Sequence, residues 1–183
     1  ENKKFQYRLI KSGARAIEYE SALDWLHAAG IAYKCIKTNE GNFPLSLYAT
    51  PESFKIYLSD VGLLCSKLGI SPIFILGNLS GFNNIKGALT ENYVMNSLTT
   101  NGLNTYYWES KGKAELDFLI QKNDGNIIPI EVKSSDNVRA KSLNQYIAKY
   151  NPVYSIRIST KNFGFDNNIK SVPLYAVHCI KNE

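Results

Sequence analysis

The chain has 183 residues, 44% hydrophobic and 20% charged, and its 21 basic and 16 acidic side chains leave a net charge of +5. That balance is globular, sufficient for one domain or two small ones, and excludes disordered and collagen-like chains. Apolar clusters such as Ile73-Phe74-Ile75-Leu76 fall far short of the roughly 18 residues that cross a bilayer, so a membrane span is excluded as well. The basic surplus permits a polyanionic partner without requiring one. The opening Glu1-Asn2-Lys3-Lys4 lacks both Met and a secretory pattern, and reads as the start of a piece cut from a longer, cytoplasmic protein. Cys35, Cys65 and Cys179 are odd in number and match no zinc spacing, which predicts free thiols in a reducing compartment.

In chain order, residues 13–30 read as a helix whose apolar face carries Ile17, Ala22, Trp25, Leu26 and Ala29, with Gly30 as its stop. Residues 31–37 read as a strand, 43–48 as a Pro-containing connection, 54–58 as extended, and 60–68 as a short helix ended by Gly69. These predict a mostly helical N-terminal subdomain over residues 1–83, either winged-helix-like or a plain packing module. Breaker residues fill 71–84 and mark the boundary. Residues 84–183 then read as helix (86–100), strands (104–108, 114–121, 127–133), helix (138–150) and strands (153–159, 173–180). The fold class predicted is α/β, a central mixed sheet flanked by helices.

Two neighbouring strands carry chemistry. In 127–133, Ile128, Ile130 and Val132 alternate with Glu131 and Lys133, which places an acid and a base together on the face away from the core. In 114–121, Leu116, Phe118 and Ile120 alternate with Glu115 and Asp117. The two apolar faces coincide only if facing residues have an even sum, so the connection must be odd in length or bulged, despite its Asp124-Gly125 turn signal. A loop over 124–126 sets Asp117 opposite Lys133. Converging carboxylates repel unless a cation joins them, and oxygen ligands of this kind suit Mg²⁺ or Mn²⁺. Such an ion activates water and stabilises phosphoryl charge, with a lysine beside it assisting. A solvated sheet face with cross-strand ion pairs explains the same residues without catalysis.

Glu91 on a helix, Asp117 on a strand and Glu131-x-Lys133 before another helix resemble the PD-(D/E)XK superfamily, the restriction-endonuclease-like fold. Gly13-Ala14-Arg15-Ala16, Tyr19 to Leu26, Phe54 to Leu64, Gly87 to Val94, Glu115-Leu116-Asp117-Phe118 and Glu131 to Ser135 resemble, more narrowly, the C-terminal domain-of-unknown-function 4143 region of prokaryotic AAA-type ATPases. The resemblance implies a Mg²⁺-dependent nuclease core. Asp117 and Glu131 would hold the metal, with the Val132 carbonyl as an extra ligand. Glu91 would orient a metal-bound water or bind a second ion, and Lys133 would stabilise the attack. Lys113, Gln145 and Tyr146 are candidate substrate contacts; helix surface and packing are the competing roles for the last two. Ser134 and Ser135 read as loop and cap, Glu109 and Glu115 as surface acids. The position of the superfamily's Pro is Glu115 or Leu116 here, and no phosphate-loop motif for ATP occurs in the chain.

The partners expected are nucleic acid, DNA first, and an upstream ATPase domain of the same polypeptide; a homo-oligomer is open. The competing functions are a nucleic-acid-binding module using Tyr106, Tyr107, Trp108 and the 111–113 turn, and a protein-interaction or regulatory module of the ATPase.

Overall fold

The computed structural model describes residues 16–76, 83–110, 114–134 and 141–182. Its centre is an eight-stranded mixed sheet. Strands β1 (Ala32–Thr38) and β2 (Ala49–Leu58) form an antiparallel pair, and β1 lies parallel to β3 (Thr105–Ser110). From β3 the sheet continues antiparallel through β4 (Ala114–Gln121) to β5 (Ile127–Val132), then parallel to β6 (Ser155–Ser159). Beyond β6 comes β8 (Ile169–Pro173), edged by β7 (Gly164–Asp166). The sheet therefore runs across residue 83: the strand read over 31–37 and the extended segment read over 54–58 are two of its strands, β1 and β2.

Among the described residues, five α-helices accompany it: α1 (Ala16–Ala28), α2 (Val61–Lys67), α3 (Pro72–Leu76), α4 (Asn83–Thr100) and α5 (Lys141–Tyr150). The side chain of Asp60 accepts from the Leu63 N–H at 2.8 Å and starts α2. Gly69, with φ +67°, takes the left-handed conformation just past its end. On one face of the sheet, Val94, Met95 and Leu98 of α4 pack with Tyr107, Phe118, Ile130 and Ile158. On the other, Leu143 and Tyr146 of α5 pack with Trp108, Leu116, Leu119 and Leu45. Both layers exclude water from apolar side chains, the main source of stability.

Two expectations are corrected. Residues 173–180 are not a strand but a 3-10 helix, Leu174–Cys179, and the last strands lie earlier, as the β7–β8 hairpin. Its turn is Asn167-Asn168, both at positive φ (49° and 58°), a two-residue geometry that Asn tolerates. The apolar stripe of α1 is not buried: Trp25 is 76% exposed and Leu26 40%.

Candidate functional site

The β4–β5 hairpin positions the central carboxylate. Its loop is 123–125: the Lys122 N–H donates to the Asn126 carbonyl at 2.9 Å, and the Gly125 N–H donates to the Lys122 carbonyl at 3.0 Å. Gly125 sits at φ +85°, which the closing residue of a three-residue hairpin loop requires. The odd length expected is therefore present, one position earlier. Phe118 pairs with Ile130 and Ile120 with Ile128, so the two apolar faces coincide. The predicted facing of Asp117 and Lys133 is overturned: the earlier loop shifts the register by one pair, and Asp117 lies beside the Glu131 position.

A second irregularity re-aims Asp117. Tyr106 pairs with Leu119 but Trp108 with Leu116, so Asp117 and Phe118 together oppose Tyr107 in a β-bulge. Simple alternation along β4 fails there. Leu116 and Leu119 face α5 while Phe118 faces α4. One Asp117 oxygen accepts from the Val132 N–H at 2.8 Å.

Glu91 lies on α4 three, four and seven residues before Val94, Met95 and Leu98, and so points at the sheet with them. The Tyr57 hydroxyl donates to it at 3.3 Å. Asn92 fixes the helix in place: its side chain accepts from the Leu58 N–H at 2.9 Å and donates to the Leu58 carbonyl at 2.8 Å. Glu131 is buried and ion-paired to Lys133. Both alternate with Ile130 and Val132, which pack in the α4 layer. Arg157 is the register neighbour of Glu131 on β6.

The centre also holds a cation that the sequence alone does not signal. Lys55 of β2 is 2% exposed, with its Nζ 2.7 Å from Glu115 and 4.0 Å from Glu91. It also lies 5.1 Å from the centre of the Tyr107 ring. Burial lowers its affinity for a proton, but Glu91, Asp117 and Glu115 outweigh that and hold it charged well beyond the ordinary lysine range. Glu115 is thus no plain surface acid, and Glu109 pairs with Lys37 at 3.0 Å.

Burial, with the negative fields of Glu91 and Glu131, pushes the Asp117 carboxyl from 3.8 up to about 7, against the opposing pull of Lys55 and the Val132 N–H. Nearby, burial pushes the Cys35 thiol up to about 12, and burial with Glu91 raises the Tyr57 hydroxyl.

Of the other candidates, Gln145 is exposed on α5. Tyr146 is fully buried, donates to the Gly41 carbonyl at 3.2 Å and meets Trp108 edge-on at 5.3 Å. Tyr107 and Trp108 are core side chains. Lys113 and Ser135 lie outside the described residues. Cys35, Cys65 and Cys179 are free thiols.

Among the described residues, no three His, Cys, Asp or Glu side chains are gathered in a metal-holding group. Magnesium needs less: one or two carboxylates, with waters completing its shell. The donors here, carboxylate and carbonyl oxygens, fit that demand, and the suppressed ionisation of Asp117 is what a nearby divalent ion would reverse. No described helix is long and apolar enough to cross a membrane.

No curated protein and no solved structure matches the chain. Residues 1–73 match one domain of unknown function, DUF8612. Residues 86–177, half of the chain and the part bearing Glu91, Asp117, Glu131 and Lys133, match another, and the chain accordingly belongs to the domain-of-unknown-function family DUF4143.

Proposed function

We propose that the chain is a Mg²⁺- or Mn²⁺-dependent hydrolase of nucleic-acid phosphodiester bonds, DNA first, on a restriction-endonuclease-like core. It would serve a cytoplasmic AAA-type ATPase as that protein's C-terminal part. The observation that carries this reading is Asp117: a buried carboxyl that meets the Val132 N–H at 2.8 Å and lies in the negative fields of Glu91 and Glu131, which oppose its ionisation and favour added positive charge.

In this reading Asp117 and Glu131, with the Val132 carbonyl, hold the ion. A bound ion supplies Lewis-acid charge at the phosphoryl group. Glu91, steadied by the Tyr57 hydroxyl, orients the attacking water. Lys133, paired at rest with Glu131, would turn to the negative charge developing on the phosphoryl oxygens. The test is calorimetric titration of Mn²⁺ into the wild type and Asp117→Ala, followed by cleavage assays on duplex DNA, single-stranded DNA and RNA. Saturable binding and cleavage that both vanish in the variant support the reading. No binding by the wild type at millimolar ion ends it.

A second reading, a catalytically silent nucleic-acid-binding or regulatory module, is favoured by one observation: Lys55 and Lys133 already neutralise carboxylates of the centre. It predicts that Asp117→Ala leaves nucleic-acid binding intact and that neither chain cleaves.

A further inference from the structure

The centre's four acids, Glu91, Glu115, Asp117 and Glu131, all come from residues 86–177, but its most buried cation does not. Lys55 is carried by the β1–β2 hairpin, within residues 1–73, which match a different family. A lysine almost never lies 2% exposed unless it is paired. Here the pairing is built from three elements. Glu115 of β4 lies 2.7 Å away, Glu91 of α4 lies 4.0 Å away, and the Tyr107 ring of β3 presents its face at 5.1 Å. Alternation along β2 would have put Lys55 in solvent had Phe54, Ile56 and Leu58 formed the inner face. Instead Lys55 and Tyr57 point inward together, both toward the same Glu91 carboxylate oxygen.

We propose that Lys55 is the resident counter-cation of the acidic centre. It is a positioning residue that lets Glu91, Glu115 and Asp117 gather without a divalent ion, and it competes with any such ion that enters. The competition rests on the metal-binding reading above; the counter-cation role does not. Like charges repel strongly in a poorly screened site, and Lys55 acts on Asp117 through its charge, so an ion at Asp117 binds against the field of Lys55. The hairpin thereby sets how readily the rest of the sheet takes up metal.

The experiment uses the full 183-residue chain and Lys55→Met, which keeps length and removes charge. A thermal double-mutant cycle with Glu115→Gln, run in chelator, reads the counter-cation role alone. Melting-temperature losses that fail to add support it; losses that add overturn it. Mn²⁺ calorimetry then reads the competition. Lys55→Met should bind Mn²⁺ about tenfold or more tightly than wild type and regain melting temperature as the ion is added. An affinity that stays equal or falls overturns the competition and leaves Lys55 a structural pair. No Mn²⁺ binding by either chain removes the nuclease reading and the competition together, while the counter-cation role still stands or falls on the double-mutant cycle. Should Lys55→Met fail to fold, Lys55→Gln carries the same two measurements.

Discussion

Replacing Asp117 by Asn should stabilise the protein, and the gain should depend on pH. The carboxyl titrates at 3.8 when unfolded and at about 7 in the fold, because burial and the fields of Glu91 and Glu131 oppose its charge. Between those values the native chain binds a proton that the unfolded chain has lost, so this group lowers stability as pH rises from about 4 to 7. Below that window both states are protonated and nothing is lost; above it the deficit is constant. Its full size, converted at about 1.36 kcal/mol per pH unit, is about 4 kcal/mol. Asn keeps an oxygen for the Val132 N–H, which Asp117 meets at 2.8 Å, and carries no charge to desolvate. For a chain of this length each kcal/mol moves Tm by about 2–4 °C, so Asp117→Asn should melt roughly 10 °C above wild type at pH 8 and level with it at pH 4. Differential scanning calorimetry over pH 4–8, in chelator, measures this. Equal melting temperatures at pH 8, or a gap that widens toward acid, would refute the argument that burial and the fields of Glu91 and Glu131 outweigh the pull of Lys55 on Asp117. Millimolar Mn²⁺ at pH 8 should narrow the gap by raising the wild type alone.

Other outcomes follow from single contacts. A Cβ at Gly41 would overlap the hydroxyl of Tyr146, so Gly41→Ala should cost about 1–3 kcal/mol in urea unfolding, and pairing it with Tyr146→Phe should recover part of that loss. Asn92→Ala removes both hydrogen bonds to Leu58 and should cost about 1–3 kcal/mol by the same assay. Tyr57→Phe loses only its bond to Glu91 and should cost about 1 kcal/mol. Mass spectrometry after brief alkylation of the native chain should find Cys179 modified and Cys35 untouched, since Cys179 is exposed while Cys35 is buried with its thiol held at about 12.

The hairpin that carries Asp117 and Glu131 was legible because parity is a hard constraint. Two apolar faces must meet, and only an odd loop or a bulge lets Phe118 face Ile130. The position of the loop was not legible, since Asp124-Gly125 and Gly125-Asn126 both satisfy local turn chemistry and only Gly125 at φ +85° selects between them. The bulge at Asp117 left no signal in β4: it is a shift within the β3–β4 ladder, where Asp117 and Phe118 span the single residue Tyr107. Lys55 was hidden for a related reason. A lone lysine in an apolar strand normally marks the solvent side, and only the arrival of Glu91 and Glu115 from elements 36 and 60 positions later reverses that. Trp25 failed in the opposite sense. Helical spacing marks an apolar stripe but does not say that anything covers it.

These failures share a cause that bears on how the centre should be assayed. The strands β1 and β2 precede residue 83, yet Cys35 and Tyr57 belong to the same apolar cluster as Tyr107, Phe118 and Ile130, and the Tyr57 and Phe118 rings stand 5.8 Å apart. Remove the hairpin and β3 becomes a sheet edge with unpaired backbone groups, Glu91 loses the Tyr57 hydroxyl, and Glu115 loses Lys55. A piece limited to residues 84–183 would keep Asp117, Glu131 and Lys133 but would present them in a different field, more negative by one buried lysine and more open to water. Strong Mn²⁺ uptake by such a piece would therefore describe the carboxylates without the whole hairpin, and only Lys55→Met in the full chain, which keeps Tyr57 and the β1–β3 pairing, isolates the counter-cation.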